Sequence, residues 1–410
     1  MRSITLFFLL TYPALLIHAQ KNTEPFTWLI SLNEISKLTS TTEKNITSLT
    51  VYDALTQQQK FEKSEYWQAG SPGYRWSEIT FDLIAKNQRF VEGNRIFALL
   101  HLAIYDATMA AEKINTTSYF ITSSSAASNL LAHLFPKDSA FIIEKGHEAV
   151  ASKLWSKNNT QKEIETGYAV GKYVAEKYIA YAKKDGSFLQ WDGIIPAGDN
   201  TLWHGKDPMY PTLGKWKTWV IDSGNIFRPA PLPPDFAKTE MEILKNTTHT
   251  FDTDKTAFFW AAPVYKIWFD IASKKIFEYH LDDDPPAAAK VYALLYVALF
   301  DAQITAWDAK YTYWYTRPDV YDPTFKPLIR TPNFPGYPSG HSTTGASAAT
   351  ILGYLFPADK NYFEALSQEG AMSRLYGGIH FNIDNTTGME MGKKVGNEIV
   401  KFAEKNFSKN

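Results

Sequence analysis

The chain has 410 residues, room for one large core or two modest ones. Its 42 basic and 43 acidic residues nearly cancel, which removes the electrostatic case for nucleic acid or an anionic membrane as partner. Aromatics make up 15% of it and cysteine is absent, so it is a densely packed globular protein with no disulfide framework, thiol nucleophile or Cys-ligated metal.

Met1-Arg2 and the apolar stretch Ile4–Ile17 read as a secretory signal cleaved after Ala19, which makes 1–19 a signal peptide and the mature protein secreted or periplasmic. No later segment offers the roughly 18 uninterrupted apolar residues of a spanning helix, so stable membrane insertion is not expected. Residues 20–75 are polar and weakly periodic. They form an N-terminal arm of short helices packed on the body, ended by a turn at Pro72-Gly73.

From Trp76 the pattern is helical, and 76–185 make a first bundle. Its segment from Arg95 to Ala107 is apolar almost all round, as suits a buried helix. Lys290 to Ala302 repeats that segment, pairing Asp106 with Asp301 at an offset of 195. Further on, Leu134-Phe135-Pro136 matches Leu355-Phe356-Pro357, and Gly171 matches Gly392, both at an offset of 221. One constant offset and one jump of about 26 residues predict an all-α fold of two related helical bundles, an internal duplication. The first bundle is a scaffold without a site, and the second, 246–410, carries the chemistry. Between them, 186–245 is a long irregular connector rich in Trp and Pro. Its aromatics cover the seam between bundles or, as the second reading, roof a pocket.

The chemistry-bearing residues fall where the offset jumps. Lys310 is followed after six residues by Arg317-Pro318, then by Pro338-Ser339-Gly340-His341, then by Ser373-Arg374, His380 and Asp384. Lys310, Arg317 and Arg374 supply three positive charges, a match for a tetrahedral oxyanion such as phosphate or vanadate. Ser339 and Gly340 open a helix whose free N–H groups attract anions, with a hydroxyl donor and room for close approach. His341 beside the anion suits acid/base work. Asp384, four residues after His380, can fix that imidazole's tautomer and make it a nucleophile or ligand, but the spacing leaves open whether it orients His341 instead. Asp301 is structural, as its counterpart Asp106 suggests, or pairs with a site cation.

Taken together the three patterns resemble the vanadium-dependent haloperoxidase and acid phosphatase (PAP2) superfamily. The stretches ALLYVALFDAQITAWDAKYTYWYTR (293–317) and FPGYPSGH (334–341) look like its haloperoxidase branch, and the resemblance covers about residues 76 to 405. It implies that Lys310, Arg317, Ser339, Gly340 and Arg374 bind vanadate, or phosphate in the same site. It also implies that His380 is the axial ligand of vanadium and His341 the acid/base. Trp307 and Phe334, with Pro332 nearby, stand where that branch lines its halide pocket, although either aromatic could belong to the core. The resulting expectation is a haloperoxidase that oxidises halide with hydrogen peroxide. The alternatives are a soluble acid phosphatase that hydrolyses phosphomonoesters through a phosphohistidine, and a silent secreted anion-binding protein. The partners expected are small molecules, and the sequence says nothing of oligomeric state.

Overall fold

The computed structural model describes residues 24–41, 66–114, 119–151 and 160–407. The signal segment 1–19 lies outside them, as does half of the arm. All regular structure among the described residues is helical; the one β-type pairing is an isolated bridge between Leu202 and Tyr315. The helices are α1 (Leu32–Thr41), α2 (Pro72–Lys86), α3 (Gly93–Lys113), α4 (Tyr119–Leu134), α5 (Ser139–Ala151), α6 (Gln161–Ala182), α7 (Phe236–Lys245), α8 (Phe251–Phe259), α9 (Val264–Glu278), α10 (Pro285–Tyr313), α11 (Pro318–Tyr321), α12 (Gly340–Leu355), α13 (Lys360–Tyr376) and α14 (Asn382–Asn406).

Pro72-Gly73 is not the turn expected of it. Ser71 accepts the N–H of Tyr74 at 3.3 Å and Pro72 takes the first helical position, where its missing N–H costs nothing, so α2 starts there. The connector likewise is not irregular to its end but closes with α7.

Helix α10 is the axis of the molecule. Asp284 caps its start by accepting from Ala287 N, and Trp314 ends it in the left-handed region, its N–H bonded to the carbonyl of Lys310. By length and composition it is the one described helix able to cross a membrane, yet 89% of its apolar window is buried inside the protein. It packs on α3 and α12, and one continuous apolar core runs through both halves of the chain rather than one core in each.

The sequence offset carries through to helix boundaries and contacts. A shift of 221 takes the starts of α4, α5 and α6 onto those of α12, α13 and α14. A Cβ on Gly171 would lie 2.2 Å from the carbonyl oxygen of Thr122, and one on Gly392 2.1 Å from that of Thr343, so each pair of helices meets where only hydrogen fits. The buried carboxylate of Asp106 accepts the N–H groups of Trp28 and Leu29 and the hydroxyl of Tyr178. That of Asp301 accepts Trp219, Val220 and Ile221 N–H. Burial pushes both carboxyls up to about 6 against the pull of these bonds. Each therefore pins an irregular segment to the core, and Asp301 is structural with no cation as partner.

Asp301→Ala would leave three enclosed N–H groups without acceptors, a loss on the order of 3 kcal/mol. Asp308→Ala, which breaks only the half-exposed pair with Arg228, is expected to cost under about 1 kcal/mol. Urea unfolding midpoints of the two variants check the ranking.

Candidate active site

The three cations come from three elements. Lys310 sits in the last turn of α10, Arg317 just before α11, and Arg374 in the last turn of α13. All three are buried. Carbonyl oxygens take the place of water around them. Lys310 Nζ donates to Pro335 O at 2.9 Å and Gly336 O at 2.6 Å. Arg317 donates to Phe334 O at 2.8 Å and Ile379 O at 2.7 Å, and Arg374 to Ser373 Oγ and Ala257 O. The buried carboxylate facing Lys310 and Arg317 is Asp384, and the half-buried Asp319 also faces Arg317. Burial, then repulsion from Arg317, lowers Lys310 well below its ordinary value and lowers Arg374, while burial alone lowers Arg317, against the pull of Asp384.

Ser339 is the N-cap of α12, its hydroxyl accepting from Ser342 N. Gly340 follows at the first helical position, and a Cβ there would meet the Trp307 ring at 3.2 Å, so its smallness also seats that indole. The first turn thus brings backbone donors, a hydroxyl and His341 to one end of the bundle.

Asp384 settles on His380. Its Oδ2 accepts from His380 Nδ1 at 2.9 Å and from Phe381 N at 3.1 Å, while its backbone carbonyl takes Ser339 N. With Nδ1 carrying the proton, Nε2 presents its lone pair as an acceptor, and Arg317 Nη1 donates to it at 3.2 Å. Burial first, then Arg317, Lys310 and Arg374, keep this imidazole neutral. His341 is held apart from Asp384. Burial, followed by Arg374, pushes it down to about 3, opposed by bonds to the carbonyls of Ala262 and Trp260. Its Nε2 has no partner, and neither does Asp384 Oδ1.

Gly340, His341, Arg374 and His380 line a cavity of about 300 Å³, with Lys310, Arg317, Ser339 and Asp384 directly behind its wall. Trp307 and Phe334 belong to the same wall, rings 5.0 Å apart, and Lys310 Nζ is 5.2 Å from the Phe334 centroid. Every site residue named from the sequence is therefore at this one place. Three wall residues come from the first half of the chain, Phe90, Val91 and Asn94, so that half supplies none of the charged groups but does shape the cavity. Nothing in their sequence context singles them out. No residue of 186–236 lines the cavity; the connector's tryptophans pack on Trp314, Tyr181 and Phe300 instead.

An excess of buried positive charge, unpartnered acid/base nitrogen and a lone-pair imidazole fit an oxyanion. Among the described residues no cluster of three His, Asp or Glu side chains is placed to chelate a metal cation.

Residues 289–408, which contain all the charged site residues, match the family model of the PAP2 superfamily. Among solved structures the chain is similar to a bacterial vanadium-dependent iodoperoxidase, with TM-score 0.66 and 20% identity over 81% of this chain and 97% of that one. It is also similar to bacterial vanadium-dependent chloroperoxidase in apo and holo types. TM-scores are 0.65 and 0.64 and identities 13% and 12%, over 77% of this chain and 93% and 92% of those. No curated protein sequence matches. The sequence likeness is thus to the PAP2 superfamily over residues 289–408, and the likeness to vanadium-dependent haloperoxidases is one of fold.

A guest anion would raise the depressed Lys310, so binding a permanently charged oxyanion should take up protons. Calorimetry of sulfate binding at pH 8 in buffers of different ionisation enthalpy is expected to show uptake. Zero or negative proton transfer would mean the cations are already fully charged in the free protein.

Proposed function

We propose that the chain is an exported vanadate-dependent haloperoxidase, using hydrogen peroxide to oxidise a halide. The observation that carries this reading is the Trp307–Phe334 pair, seated against Lys310 beside His380, in a fold shared with three vanadium-dependent peroxidase structures. An apolar wall backed by fixed positive charge suits a large, weakly hydrated halide better than it suits water.

Lys310, Arg317, Arg374, Ser339 and the N–H of Gly340 would hold the oxygens of vanadate, and His380 Nε2 the vanadium. When bound, vanadate supplies the activation of peroxide and the oxidation of halide. The chain does the rest. The cradle stabilises negative charge without reorganising, since its donors are already desolvated and fixed. Asp384 holds the Nδ1–H tautomer of His380. Neutral His341 takes or gives a proton at Nε2.

The PAP2 match supports a second reading, phosphomonoester hydrolysis, in which His380 Nε2 attacks phosphorus and His341 protonates the leaving oxygen. It uses the same cradle, so activity decides. Reconstituted with vanadate and given peroxide, the protein is expected to oxidise iodide or bromide. Phosphate release from p-nitrophenyl phosphate with no halide oxidised at any pH would make it a phosphatase, and neither activity with tight phosphate binding a silent binder.

His380→Ala should abolish vanadate-dependent turnover. Asp384→Asn, which keeps the shape but loses the tautomer, should lower it about 10–100-fold. Export rests on Met1–Ala19, and an N-terminus at Gln20 in protein recovered outside the cytoplasm would match it.

A further inference from the structure

Beyond the anion cradle, the cavity holds a polar relay with a fixed direction. The carbonyl of Val91 can only accept, so it takes Gln303 Nε2–H at 2.8 Å. That turns Gln303 Oε1 toward Asn94, whose Nδ2 donates to it at 3.1 Å. Asn94 Oδ1 is then left as an acceptor, in a side chain 3% exposed, with no partner. An unfilled acceptor this deep costs free energy unless something donates to it. Asn94 and Gln303 both line the cavity, whose lining also includes Phe90, Val264, Tyr265, Ile329 and Pro332. Such a space favours an apolar solute over water, and the relay selects one with a hydrogen to give.

We propose that this cavity binds a neutral aromatic molecule bearing an O–H or N–H donor, positioned by Asn94 as the acceptor of the oxidised halogen. The inference rests on the haloperoxidase reading for its chemistry, though not for the binding. In the transfer a ring C–H bond is replaced by a carbon–halogen bond. Halide loses two electrons, the O–O bond of peroxide is reduced to two waters, and the ring proton returns one of the two protons that this reduction consumes. An O–H or N–H on the ring is also what makes its carbons electron-rich enough to react, so the group that Asn94 selects is the group the reaction needs.

The test is equilibrium binding to the vanadate-free protein. 4-Bromophenol is expected to bind about tenfold tighter than 4-bromoanisole, its methyl ether, which is one methyl group larger and has nothing to donate. Asn94→Ala should erase that preference while the ether's affinity stays put. Equal affinities in the unaltered protein would overturn the proposal. So would a preference that survives Asn94→Ala, which would assign the bond to His341 Nε2, an unpartnered nitrogen on the same cavity wall. Triiodide formation without any organic substrate reports on the haloperoxidase reading separately. If iodide is oxidised and the phenol not preferred, this inference fails alone; if the phenol is preferred and no halide is oxidised, the binding site stands and the haloperoxidase reading falls.

Discussion

Three buried cations answered by one buried carboxylate are the constraint on which the rest of the structure depends. Each such charge moved out of water costs several kcal/mol unless protein dipoles replace the lost hydration. Here the replacement is local. The carbonyls of Phe334, Pro335 and Gly336 solvate both Lys310 and Arg317, so the loop before α12 is in effect their hydration shell. A solvating loop is useful only if it cannot turn its oxygens away. Gly336 N is held by Tyr315 O, and Asn333 is held by the connector through Met209 N, Lys206 O and Asp207 O. The long connector therefore acts on the site at one remove. It does not cover the cavity; it fixes the carbonyls that make the buried charges tolerable.

The second constraint is economy at Asp384. It stands at the third position of α14 and reaches back to the N–H of Phe381, the role any capping carboxylate plays. The same oxygen accepts from His380 Nδ1, and its backbone carbonyl holds Ser339 N. A single residue thus ties the helix start, the tautomer of one imidazole and the approach to the other. Glu240 of α7 adds a brace by accepting Ile383 N, one residue away.

Much of this was legible in the sequence because it is local. Ser339 and Gly340 at a helix start, Asp384 one turn beyond His380, and Lys310 seven residues before Arg317 are each patterns within ten residues. The offset of 221 was readable as a repeated spacing, and the starts of α12, α13 and α14 follow it. What was not legible depends on distant packing. Spacing alone could not say that Asp384 faces His380 rather than His341. It gave no sign that Asn94, 209 residues from Gln303, would meet it inside the cavity. At Pro72 the cap competed with the turn and won, since Ser71 supplies the acceptor that proline's helix needs.

The anion cradle does not by itself choose between oxidising a halide and hydrolysing a phosphate ester, because both need the same charges and the same free imidazole nitrogen. The choice lies in what surrounds it. A phosphate ester brings its own reacting oxygen into the cradle, and its leaving group needs only space and a proton. Halogen transfer needs three things gathered beside one oxyanion: a place for a polarisable ion, a place for an electron-rich carbon, and the exclusion of bulk water. Trp307 and Phe334 against Lys310 suit the first, and the apolar walls from both halves of the chain suit the third. The directed relay through Val91, Gln303 and Asn94 suits the second. In the proposed transfer reaction the unfilled acceptor of Asn94, on the wall of the same cavity as His380, has a donor to receive.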